Sequence, residues 1–164
     1  MYITQEEYTQ MYDDMDEKLF NRLYFDACRV MDIHTTGIDN VKKLKRFFPI
    51  EEDDAQAVKH CAAKLINTLH QIHKAEESAA GAYENSEMGI RGKYIQSITA
   101  GNESISYTSG DTSKTAIDSA VADKTKRDKL MAEIVWEYLR GVRDANGINL
   151  LFMGSYPGRY LHAD

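Results

Sequence analysis

The chain has little cysteine, no long apolar run and no surplus of basic residues. Its two cysteines, Cys28 and Cys61, fall inside helical patterns and lack the spacing of a metal or redox site. That argues against a disulfide scaffold, suits a reducing compartment and makes both thiols small buried hydrophobes by expectation. No apolar stretch approaches the roughly 18 residues that a membrane helix needs. The opening MYITQEEYTQ has neither a basic n-region nor an apolar h-region, so neither a membrane span nor a signal peptide is expected. Acids outnumber bases by 26 to 20, for a formal charge of -6, which argues against a protein that wraps phosphate backbone. No internal repeat or linker-like low-complexity tract marks a second domain. With 43% hydrophobic residues in 164, the chain is long enough for one domain with a real core.

Catalytic and ligand-binding signatures are also missing. The string GDTSKT at 110–115 lacks the glycine directly before Lys114 that a phosphate loop requires. His60, His70 and His73 share one helical region without a Glu-x-x-His pair, the pattern of solvated or half-buried imidazoles more than of a metal site. Paired acids such as Asp13-Asp14 and the run Glu51 to Asp54 read as helix starts and solvated faces. A catalytic carboxylate needs an environment that shifts its pKa, and no such environment is legible in sequence. No G-x-S-x-G or family cysteine motif occurs. The expectation is a non-enzymatic protein without cofactor or metal.

What is present is helical patterning. Thr4-Gln-Glu-Glu7 is a capping box that starts a short helix near Gln5. Asp16 caps a second helix, to about Ile33, whose stripe is Leu19, Phe20, Leu23, Ala27, Val30 and Met31. Asp39 is placed to cap a short segment from Lys42 to Phe47, which Pro49 closes, with Phe47 and Phe48 plugging the end of the bundle. Four acids, Glu51 to Asp54, open the longest helix, about Glu52 to Ser78, with Ala55, Val58, Ala62, Leu65, Leu69 and Ile72 inward. Residues 79–93 hold three glycines and no periodicity, a flexible connection by expectation. A final helical region runs from about Thr115 to Arg140, with a possible break near Asp123 and Leu130, Ile134, Val135, Tyr138 and Leu139 inward.

One stretch, YIQSITAGNESISYT at 94–108, reads as β-structure. A Gly101-Asn102 turn puts Ile98 opposite Ile105 and Gln96 opposite Tyr107, with Tyr94, Ile98, Ile105 and Tyr107 on one apolar face. A lone hairpin is marginal in water and needs a surface to cover it. The closing stretch from Gly141 has four glycines and a proline around an apolar knot, Ile148 to Met153. It reads as an extended segment, too apolar for an inert tail and poorly suited to fold alone. Ten tyrosines, among them Tyr83, Tyr94, Tyr107, Tyr156 and Tyr160, add the aromatic content typical of interfaces. The fold expected is mainly α: a small bundle of about four to five helices, a protruding β-hairpin and an extended C-terminal segment.

In succession, YITQEEY, LYFDACRVMDIHT, AVKHCAAKLINTL, SITAGNESISY and WEYLRGVRDANGINLLFMGSY resemble the head-tail connector, or adaptor, proteins of long-tailed bacteriophages. The resemblance covers nearly the whole chain in order, and no single segment is specific. The polar connection at 79–93 and the RDAN before the knot depart from the pattern. The resemblance implies a virion structural protein, made in the host cytoplasm and located in the phage neck. There it forms a homo-oligomeric ring of about twelve copies, assembled from free monomers, that binds the portal protein and receives a stopper or tail-completion protein. Genome DNA passes through the channel without specific binding. It further implies a connector domain, 1–147, and a docking segment, 148–164. Subunit or neck contacts then fall on Tyr94, Ile98, Gly101, Asn102, Glu103, Ile105 and Tyr107, and portal contacts on Leu151, Phe152, Met153, Tyr156, Arg159 and Tyr160. Two rivals remain: another stopper or tail-completion protein of the neck, and a cytoplasmic helical regulator that binds a partner through Tyr83 to Tyr107.

Overall fold

The capping box starts the first helix, α1 (Gln5–Thr9): Glu7 N donates to Thr4 Oγ1 at 3.2 Å and Thr4 N donates to Glu7 Oε2 at 2.9 Å. Two orphan amides of the helix start are thereby satisfied. The structure, a computed structural model, describes residues 1–84, 97–100, 103–106 and 116–161. It is mainly helical: α2 (Glu17–Thr35), α3 (Lys43–Arg46), α4 (Glu52–Glu84), α5 (Ala116–Ala122) and α6 (Lys124–Leu139) follow α1. Asp16 caps α2 by accepting from Lys18 N at 3.0 Å and Leu19 N at 3.3 Å. The break expected near Asp123 separates α5 from α6, and its Oδ1 accepts from Thr125 N at 2.8 Å.

Two elements differ from the sequence reading. Asp39 does not cap α3, whose N-cap is Lys42 with no side-chain bond. Residues 36–42 close a tight turn, with Asn40 at φ 60 and a bridge between Thr36 and Lys42. Asp39 serves that turn by accepting from Val41 N at 3.2 Å, and it also accepts from Tyr156 N. The long helix runs to Glu84 rather than Ser78. Alanines dominate positions 79–82, and one interior glycine costs a helix only about 1 kcal/mol. Positions 85–93 of the expected connection lie outside the described residues.

The chain divides into two compact units, one of residues 1–70 with 128–164 and one of residues 71–127. In the first, the core is the buried stripe of α2 (Phe20, Leu23, Ala27, Met31), of α4 (Val58, Cys61, Ala62, Leu65, Ile66) and of α6 (Met131, Ile134, Val135, Leu139). Each fully buried Leu, Ile or Met side chain contributes about 1.5–3 kcal/mol of transfer free energy. Ile3, Tyr8, Leu44 and Leu150 complete this core. Cys61 is buried as expected, whereas Cys28 is only half-buried.

In the second unit, Arg127 ties α6 to α5 by donating to Ala120 O at 3.2 Å, and it pairs with Glu76 of α4. Two short strands, β1 (Ser97–Ala100) and β2 (Glu103–Ser106), pair antiparallel with Ile98 opposite Ile105. The expected partners Gln96 and Tyr107 lie outside the described residues, as do Tyr94 and the turn residues Gly101 and Asn102.

Candidate docking surface

The outer face of α2 carries Phe25, Arg29 and Ile33 at intervals of four, one helical turn apart and off the buried stripe. Phe25 is 69% and Ile33 58% exposed, a large apolar exposure for two side chains on one helix face, with Arg29 between them. With Cys28, Asp32, Thr36, Gly37, Asn40, Lys42 and Lys45 they line an open groove of about 580 Å³. A second groove, of about 450 Å³, shares Phe25, Cys28 and Lys45 and continues over Met1, Tyr2, Tyr24, Leu44 and Phe48. One apolar trough therefore runs from the α2–α3 turn to the chain's first residues.

Asp32 organises its floor. Its carboxylate accepts from the Tyr2 hydroxyl at 2.6 Å and pairs with Lys45 Nζ at 2.8 Å, while Tyr2 N donates to the Tyr24 hydroxyl at 2.9 Å. Burial, with the Asp32 bond adding to it, pushes the Tyr2 phenol far above its ordinary value. Burial also raises the Cys28 thiol, so it is mostly protonated near neutral pH and reacts through its thiolate only as pH rises. The Asp32 bond raises the Lys45 ammonium. With Asp32 and Lys45 neutralising each other, the rim keeps a net positive charge from Arg29 and Lys42, against the net negative charge of the chain.

Beside this trough lies the C-terminal stretch. Ile38 N donates to Met153 O at 3.0 Å. Gly37 sits so close to Gly154 O that a Cβ there would come within 2.5 Å of it. Buried Lys43 donates to Asn149 O at 3.3 Å and to Phe152 O. Desolvation lowers its pKa, with Asp144 and Asp39 pulling the other way. Buried Asp144 accepts from Asn146 N and Ile148 N, both at 2.9 Å, and from the Tyr156 hydroxyl. Tyr156 stacks on Phe47 with ring centroids 4.7 Å apart, and Arg46 donates to Leu161 O at 2.6 Å.

The stretch expected to dock on a partner thus has home contacts at Ile148, Asn149, Phe152, Met153, Tyr156 and Leu161, with Asp39, Lys43 and Asp144 among the polar partners. Of the portal-contact residues expected, Phe152, Met153 and Arg159 are exposed, Leu151 and Tyr160 are half-buried, and Tyr156 is 5% exposed. Of the hairpin contacts, Ile98, Glu103 and Ile105 lie in the described strands; Tyr94, Gly101, Asn102 and Tyr107 do not.

Sequence reasoning missed the trough, although the Phe25–Arg29–Ile33 spacing was its signal. It also missed exposed Ile38, Ile50 and Trp136. Single exposed apolar residues are ordinary in sequence terms and become informative only when the fold groups them. Among the described residues, no cluster of three or more His, Cys, Asp or Glu side chains could hold a metal ion, and no helix is long and apolar enough to cross a membrane. Comparison with protein-family models, with curated proteins and with solved structures finds no match.

Proposed function

We propose that the protein is a non-enzymatic, ring-forming connector of a long-tailed phage neck, seated on the portal and receiving a stopper or tail-completion protein. The observation that carries this reading is the presence of exposed large apolar side chains on separate helical faces of one unit: Phe25 and Ile33 on α2, and Trp136 on α6. A ring needs a heterologous interface, in which two different patches of each subunit meet. Aromatic residues are enriched in the cores of such contacts.

Phe152 and Met153, half-exposed beside the trough and held by Lys43, are the portal-contact residues of this reading. In this reading the strand pair at Ile98 and Ile105 meets a neighbouring subunit or the next ring. The acidic balance lets DNA slide through the channel, since carboxylates repel phosphate.

The test is to combine the purified protein with an isolated portal and look for a portal-bound ring by electron microscopy. Phe152→Ser with Met153→Ser should abolish portal attachment and leave the helical circular dichroism unchanged. Undiminished attachment of that double variant would move the portal contact elsewhere.

A further inference from the structure

We infer that the trough on α2 is the socket for residues Ile50 to Asp53 of a second copy of this chain. The knob is Ile50, 77% exposed directly after buried Pro49, followed by exposed Glu51, Glu52 and Asp53 at the start of α4. Asp54 is turned to other use, accepting from Arg143 N at 3.1 Å, so three acids border the exposed isoleucine. The socket offers the converse: apolar walls at Phe25 and Ile33 with a cationic rim of Arg29 and Lys42, Lys45 being paired with Asp32.

Charge complementarity of this kind fixes partner and register, and like charges placed opposite each other disfavour the wrong pairing. An acidic protein has few surfaces that would welcome an acid-bordered apolar knob, and this trough is one. A nucleic acid is the poorer occupant, because Phe25 and Ile33 leave no continuous basic track for phosphate. The inference rests on the ring reading for its occupant, and it goes further by naming the two surfaces that mate.

Two charge-reversed variants test it: Arg29→Glu with Lys42→Glu in the socket, and Glu51→Lys with Glu52→Lys on the knob. Arg29 and Lys42 are chosen because Lys45 is needed to pair with Asp32. Each variant alone should weaken self-association by at least about tenfold in sedimentation, and an equimolar mixture should restore it, since each socket then meets a knob of opposite charge. Variants that associate singly like the unaltered protein overturn this interface and leave the ring reading standing. A mixture that fails to recover overturns the pairing. An unaltered protein that stays monomeric, alone and with portal, overturns both.

A second variant guards against misfolding. Ile50→Cys combined with Cys28→Ser, mixed with the unaltered chain under mild oxidation, should give a covalent pair containing one of each, because Cys28 lines the socket and Cys61 is fully buried. Absence of that pair in an associated sample overturns the proposal.

Discussion

The Tyr156 hydroxyl donates to the Asp144 carboxylate, and both groups are buried. That contact joins the last stretch of the chain to the turn after α6, where Gly147 adopts φ 76. Tyr156→Phe keeps the stack on Phe47 and leaves Asp144 with only its backbone donors, so it should cost about 1–3 kcal/mol. Tyr156→Ala, which also empties the space beside Phe47, should cost about 3–5 kcal/mol. Urea unfolding at constant slope measures both, and equal losses would show that the stack contributes nothing.

Gly37→Ala places a methyl carbon 2.5 Å from the backbone oxygen of Gly154. Backbone cannot yield as a side chain does, so the segment around Phe152 and Met153 must shift, at about 1–3 kcal/mol. Amide exchange should accelerate at Ile38, whose amide bonds to Met153 O; unchanged exchange there would refute the contact.

Alkaline pH should destabilise the fold. Burial raises Cys61 from an ordinary 9.0 to about 12, and Tyr8 and Tyr24 from 10.0 to about 12. The unfolded chain therefore releases these protons at lower pH than the native one. Stability is fully present below pH 9 and falls as pH rises toward 12, by up to about 1.4 kcal/mol per pH unit for each group. Cys61→Ala should flatten the lower part of that decline in urea midpoints measured across the window. An identical decline in the variant would take Cys61 out of the account.

On the acid side, Lys59 lies 2.6 Å from Glu7 and lowers its pKa below the ordinary 4.5, helped by the Thr4 amide. Here the contribution is present above the unfolded pKa and is lost as pH falls through the lowered folded value. Lys59→Met should raise the Glu7 pKa seen by NMR titration. It should cost no more than about 1 kcal/mol, because the pair is partly exposed.

Local rules carried the helices: the Thr4 box, the Asp16 cap, the break at Asp123 and the centres of the α2, α4 and α6 stripes were legible, because each depends on residues within a turn or two of one another. At the stripes' margins Leu19, Leu69 and Leu130 are only half-buried, and Ile66 and Met131 went unread. The C-terminal stretch was not legible. Its partners Asp39, Lys43 and Phe47 lie about a hundred residues upstream, as the separation of 109 between Lys43 and Phe152 shows. Apolar spacing alone cannot announce a buried lysine that binds two distant carbonyls. Of the trough only one wall, the Phe25–Arg29–Ile33 face, left a signal in the sequence, since the rest is a turn that only the fold brings alongside α2.

Self-association into a closed ring is the central claim, and native mass spectrometry of the unaltered protein across a wide concentration range, alone and with an isolated portal, tests it most directly. The account predicts a single closed oligomer of uniform copy number, at high concentration or on the portal. A protein that remains monomeric in every one of those samples would contradict it.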